Sequence, residues 1–284
     1  MSNAPKLGII AGRGDLPLRL IEAARAAGRD IYVLAIKNQA DCTLPDDVPH
    51  DWVRLGAAGQ GLVLLRAAGV IEVVFAGAIK RPSLTALMPD ARMARFLAKL
   101  ATKSLGDDSV LRLAVAEFEA EGFRVIGADD LRAELLMTHG SLGRHAPDDS
   151  AWDDIRHGIK IARAIGALDI GQAVVVQQGI VLGVEGAEGT DELIARCGRL
   201  HKAGAAGVLV KAMKPGQERR VDLPTIGPET VAAAAAAGLR GIAVEADQSL
   251  ILDRARVISE ADRLGLFLIG FTDEAESAGM GPGK

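Results

Sequence analysis

Residues 211–222 read Lys-Ala-Met-Lys-Pro-Gly-Gln-Glu-Arg-Arg-Val-Asp and continue as Leu-Pro-Thr-Ile-Gly to residue 227. Four cations (Lys211, Lys214, Arg219, Arg220) and two carboxylates (Glu218, Asp222) share twelve positions. Such a mixture suits a phosphorylated substrate. Cations hold phosphate oxygens, and a carboxylate holds a metal ion or activates water. Arg220 offers a two-pronged grip, whereas Lys211 and Lys214 act as point charges. Gln217 and Glu218 can orient a water, and Thr225 can bond a phosphate. The plainer alternative is a solvated charge run in which Asp222 pairs with Arg220.

Something must position these groups. An apolar strand, Ala206–Val210, precedes the stretch, and a helix starts near Pro228. A strand-to-helix segment at a sheet edge is where α/β proteins place ligands. Earlier in the chain, strands at Lys6–Ala11, Asp30–Ile36, Trp52–Leu55, Glu72–Ala76 and Phe123–Ile126 alternate with helical periodicity at Leu16–Ala27, Gly61–Ala68, Ala91–Leu100 and Val110–Glu121. Alternation of this kind predicts a parallel, Rossmann-like sheet over residues 1–137. Residues 138–150 are polar and punctuated by Gly and Pro, and read as a linker. Residues 151–284 predict a mixed α/β domain: a helix at Trp152–Ile165, a hairpin of Ala173–Gln177 with Ile180–Val184, a helix at Asp191–His201, and further strands at Val208–Val210, Ile242–Glu245, Leu250–Leu252 and Leu266–Ile269. The expected fold class is therefore α/β with two lobes.

Gly12 and Gly14 mark the first strand-to-helix turn. Gly12-Arg13-Gly14-Asp15-Leu16-Pro17 nearly matches a dinucleotide fingerprint, but Pro17 replaces the third glycine, and Ala35-Ile36-Lys37 supplies no acid for a ribose hydroxyl. The helix amino terminus can still hold an anion, with a tight turn capped by Asp15 as the competing reading. Lys80 and Arg81 follow a strand end, where phosphate or sugar contacts are expected. Leu84, Leu87, Met88, Met93, Phe96, Leu97 and Leu100 predict either an amphipathic helix on the sheet or an apolar groove.

The 284-residue chain is 49% hydrophobic, only 3% aromatic, and carries a net charge of -4. That balance argues against a nucleic-acid partner. Cys42 and Cys197 form no CxxC pair, consistent with thiols in a reducing cytoplasm. No apolar run approaches the ~20 residues that span a bilayer.

Several segments, in order over nearly the whole chain, resemble the metal-dependent UDP-2,3-diacylglucosamine pyrophosphatases of lipid A biosynthesis. They are Gly8–Pro17, Phe75–Pro82 with Leu87–Asp90, Gly106–Asp108, Leu168–Gln172, Val184–Asp191 and the 211–227 stretch. The most specific are Glu188-Gly189-Thr190-Asp191 and Arg220-Val221-Asp222-Leu223-Pro224-Thr225-Ile226-Gly227. The resemblance implies Mg²⁺-dependent hydrolysis of UDP-2,3-diacylglucosamine to 2,3-diacylglucosamine 1-phosphate and UMP, by water attack on the phosphorus nearest the sugar. It implies two lobes with the active site between them. Asp222 matches the family's essential aspartate, as metal ligand or water activator. Glu188, Asp191, Asp107 and Asp108 become candidate metal ligands, and Gly12, Gly14, Lys80, Arg81, Lys211, Lys214, Gln217, Arg220 and Thr225 candidate substrate contacts. Cytoplasmic location with transient contact at the inner-membrane surface follows, and a homodimer is allowed. A nucleotide-sugar-binding protein without catalysis is the alternative.

Overall fold

In the computed structural model, residues 4–80, 87–101 and 107–272 are described, the side chains of Asp107 and Asp108 excepted. Arg81 and Leu84 therefore lie outside the described residues. Chain contacts divide the protein into a first unit, Met1–Ala133 with Glu218–Asp222, and a second, Glu134–Gln217 with Leu223–Lys284.

The first unit is built on five strands, β1 (Leu7–Ala11), β2 (Ile31–Ile36), β3 (His50–Val53), β4 (Glu72–Ala76) and β5 (Arg124–Val125), in the order β3-β2-β1-β4-β5. All pairings are parallel. Every residue of β1 and β2 is buried, the signature of a sheet covered on both faces. The helices are α1 (Leu16–Ala26), α2 (Ala58–Ala67), α3 (Ala91–Ala101), α4 (Asp107–Ala120) and α5 (Ala128–Leu131). The expected alternation and parallel sheet are what the structure shows. β3 begins two residues before the expected Trp52, because its pairing with Val33–Ile36, rather than apolar content, defines it. On α3, Met93, Phe96 and Leu97 are half-buried and Leu100 is buried, as an amphipathic helix requires. Strand order reverses between β1 and β4, so the loops leaving them flank the switch point where open α/β sheets bind ligands.

The second unit contains β6 (Gly140–Leu142), α6 (Asp149–Ala167), β7 (Ala173–Gln177), β8 (Ile180–Val184), α7 (Thr190–Gly198), β9 (Val208–Lys211), β10 (Thr225–Ile226), α8 (Pro228–Ala236), β11 (Gly241–Glu245), β12 (Leu250–Ile251), α9 (Arg254–Leu264) and β13 (Phe267–Phe271). Six strands form one mixed sheet, β6-β13-β11-β9-β7-β8, and β10 pairs with β12. Alternate residues of the central strands feed two cores. Val175, Leu209, Val244 and Leu268 pack with Leu193, Val231 and Val257 on one face. Val174, Val210, Ala243 and Ile269 pack with Ile155 and Ile159 of α6 on the other. The stretch expected as a linker instead supplies β6, antiparallel to β13, and Asp148, whose side chain caps α6 by accepting from the Ala151 amide at 2.7 Å. A ladder with a distant strand creates β6, so its polar sequence gives no hint of it.

Candidate active site

In the second unit, β9 ends at Lys211, which pairs with Ala173 at the start of antiparallel β7 and Val244 near the end of parallel β11. β8 ends nearby, because Val174 pairs with Val184. These registers bring Ala173, Val184, Lys211 and Val244 to one sheet edge. The Lys211 Nζ donates to Thr190 Oγ1 at 3.0 Å and to the Thr225 carbonyl at 3.1 Å. Thr190 Oγ1 donates in turn to Glu185 Oε1 at 2.6 Å, and Glu185 Oε2 accepts from the Gln172 amide at 2.9 Å. Lys214 Nζ donates to Asp169 Oδ1 at 2.8 Å, while the Lys214 amide donates to Gln217 Oε1 at 2.9 Å. Both lysines are buried, at 6% and 8% exposure. A buried ammonium is costly unless bonded and balanced, so this network is what keeps two positive charges fixed at the edge.

Other predicted residues of this unit have different partners. Thr190 is the first residue of α7 and not its cap; Gly189, with φ of 85°, holds that position. Glu188 accepts from Arg196 at 2.9 Å. Its own backbone amide and then Arg196 hold the Glu188 carboxyl below the usual range. Asp191 lies exposed in the first turn of α7. The Thr225 hydroxyl donates to the Leu223 carbonyl at 3.0 Å and keeps its lone pairs for other donors.

In the first unit, the segment 218–222 is pinned by its arginines. Arg220 grips Glu218 with two bonds of 2.8 Å and Glu119 of α4 with one of 2.6 Å. The Glu218 bond raises the Arg220 pKa, and the same bond lowers that of Glu218. Arg219 bonds Asp129 of α5 at 2.9 Å. Arg220 thus bonds two carboxylates and anchors the loop. Asp222, half-buried, closes the turn by donating its amide to the Glu218 carbonyl at 3.2 Å.

At the switch point the loops after β1 and β4 are bonded to each other. Gly12 donates to the Ala76 carbonyl at 2.8 Å, Arg13 to Ala78 at 2.9 Å, and Ala78 back to Arg13 at 3.2 Å. A Cβ on Gly77, which has φ of +89°, would lie 2.2 Å from the Arg13 carbonyl, and one on Gly12 would lie 2.6 Å from that of Ala78. Replacing Gly77 by Ala should therefore cost about 1–3 kcal/mol through the strained φ alone. The expected result is a melting temperature lower by several degrees together with reduced turnover; unchanged melting would show that the loops can part without loss. The Gly14 amide is already taken by Asp41 Oδ1 at 2.8 Å. Gln39 holds both the amide and the carbonyl of Lys80, at 2.9 and 3.1 Å, leaving the Lys80 side chain exposed. Asp15 occupies the cap position of α1 without a side-chain cap bond, so Asp41 and the loop-to-loop bonds, not Asp15, set this turn. Gln39 and Asp41 belong to no motif in the sequence; they lie just beyond the Ala35–Lys37 strand end, and only the fold brings them to the two loops.

Among the described residues, no three or more His, Cys, Asp or Glu side chains gather into a metal-binding group. Glu188 is held by Arg196, so among the described candidates Asp191, exposed, and Asp222, half-buried, are the carboxylates that could stand beside substrate phosphate and water around a Mg²⁺. That donor set suits Mg²⁺, which keeps most of its waters and needs only one or two carboxylates.

Residues 6–135 match the LpxI N-terminal domain family and residues 138–269 the LpxI C-terminal domain family. The chain belongs to the LpxI family. It is 46% identical over 272 residues to the UDP-2,3-diacylglucosamine pyrophosphatase LpxI of Caulobacter vibrioides, covering 93% of this chain and 97% of that one. Among solved structures, it is similar to the biotin carboxylase domain of Hydrogenobacter thermophilus 2-oxoglutarate carboxylase at 13% identity, covering 70% of this chain and 41% of that one, with a TM-score of 0.23, too slight a likeness to bear on chemistry. Membership of the LpxI family agrees with the motifs that end at Asp191 and Gly227. No helix among the described residues is long and apolar enough to cross a membrane.

Proposed function

We infer that this protein is a hydrolase that cleaves the pyrophosphate bond of UDP-2,3-diacylglucosamine, giving 2,3-diacylglucosamine 1-phosphate and UMP. The observation that carries this reading is the end-to-end likeness to the Caulobacter enzyme, which bears that activity in its name. The chemistry at hand supports it. Lys211 and Lys214 give a sheet edge two fixed positive charges, which suits a diphosphate. Water attacks the phosphorus nearest the sugar, the bridging P–O bond breaks, and UMP leaves with the bonding electron pair. Asp222 takes the proton from water or holds the ion that positions it. When bound, Mg²⁺ would neutralise phosphate oxygens and ease departure of UMP. Gly12, Lys80, Gln217 and Thr225 are proposed to line the substrate. Catalysis takes place in the cytoplasm, with transient contact at the inner-membrane surface where the diacyl substrate resides.

The test is UMP release from UDP-2,3-diacylglucosamine. Release is expected with Mg²⁺, lost on chelation and restored by adding Mg²⁺ back. Tight nucleotide-sugar binding without UMP would favour a binding protein instead.

A further inference from the structure

We propose that Glu185 is a positioning residue for this reaction, acting through the Thr190 hydroxyl on the Lys211 ammonium. The inference rests on the pyrophosphatase reading given above. Glu185 is 6% exposed, and both of its oxygens are used. Oε2 accepts from the Gln172 amide at 2.9 Å, which fixes the carboxylate at the start of β7. Oε1 takes the proton of Thr190 Oγ1 at 2.6 Å, within the range of charge-assisted O–H···O⁻ bonds. With its proton committed, the hydroxyl can turn only lone pairs toward Lys211, whose Nζ lies 3.0 Å away. The carboxylate thus sets the hydroxyl, and the hydroxyl sets the ammonium.

The two lysines at this edge are held in contrasting ways. Lys214 meets its carboxylate, Asp169, directly at 2.8 Å, so much of its charge is balanced where it stands. Glu185 reaches Lys211 through a hydroxyl. The intervening hydroxyl fixes the direction of the ammonium. An oriented cation at the end of β9 is the arrangement that stabilises negative charge developing on a phosphate, because no reorganisation is needed as the charge appears. Glu185 with Thr190 maintains that direction.

The experiment compares Thr190→Val, which keeps the shape and removes the hydroxyl, with Thr190→Ser, which keeps the hydroxyl. Steady-state UMP release and thermal melting are measured on full-length protein with Mg²⁺ present. Thr190→Val should lower kcat about 10–100-fold, as expected for losing a hydrogen bond to a charged group, with a smaller change in KM. Thr190→Ser should restore kcat to within a few fold of wild type. A purely structural role would lower the melting temperature of Thr190→Val while leaving kcat of the folded protein unchanged, and that result overturns the proposal. Equal losses in Val and Ser overturn it too, since the methyl group would then be what matters. If Thr190→Val does not fold, Glu185→Gln decides: a folded variant with wild-type kcat is a refutation, and a roughly tenfold loss is support. Absence of UMP from folded wild-type protein would remove the pyrophosphatase reading itself, whereas an active wild type with indifferent variants would remove only the role of Glu185.

Discussion

Replacing Asp222 by Ala is expected to lower kcat for UMP release by about three orders of magnitude, within the 10²–10⁴-fold range of a positioned acid–base group. The protein should remain folded. The turn that carries Asp222 is closed by backbone bonds from the Val221 and Asp222 amides to the Glu218 carbonyl, which alanine retains. The loop is anchored by Arg219 on Asp129 and Arg220 on Glu119, neither of which involves the Asp222 carboxylate. KM should change much less than kcat, because an interaction made mainly in the transition state is removed. Circular dichroism and melting beside the kinetics check the fold. A folded variant retaining more than a tenth of the wild-type rate would exclude Asp222 as the group that activates water or holds its ion.

Replacing Asp154 by Ala should produce the largest loss of stability. This carboxylate is 1% exposed and accepts three bonds: from the Gln178 amide at 3.1 Å, the Gly179 amide at 2.7 Å and Arg240 Nη2 at 3.1 Å. It therefore ties the turn of the β7–β8 hairpin to α6 and to the residue preceding β11. Breaking a buried pair costs about 3–5 kcal/mol. The lower end applies here, because Arg240 keeps Asp148 at 3.1 Å and water can reach the exposed turn. About 3 kcal/mol corresponds to a fall in melting temperature of roughly 6–12 °C for a domain of this size. Asp154→Asn, which keeps one acceptor, should lose less. Thermal unfolding decides the matter, and a shift below about 2 °C for Asp154→Ala would mean that solvent takes over all three bonds.

The fold was legible where local chemistry agreed with tertiary demand. The β7–β8 hairpin was read to the residue because Gln178 and Gly179 both adopt positive φ, 51° and 74°, as the two-residue turn requires. β1 and β2 announced themselves as short unbroken apolar runs. β6, β10 and the amino end of β3 did not, since only their partners across the sheet make them strands. At the site, charge density in 211–222 was visible, but its division was not. Lys211 and Lys214 belong to the edge of one sheet, while Arg219 and Arg220 pair with carboxylates nearly a hundred residues earlier. Glu185 lies within the Val184–Asp191 segment, but its role is not legible there, because it depends on strand registers that place Gln172, Thr190 and Lys211 around it.

The five residues from Glu218 to Asp222 belong to the first unit although the chain on both sides of them belongs to the second. A gene cut at the 133/134 boundary would not yield two self-sufficient modules: the leading fragment would lack Arg219 and Arg220, the partners of Asp129 and Glu119, and Asp222, the proposed catalytic aspartate, would be encoded in the other fragment. Domain shuffling at that joint is therefore disfavoured, and the two family domains should travel together as one inherited cassette.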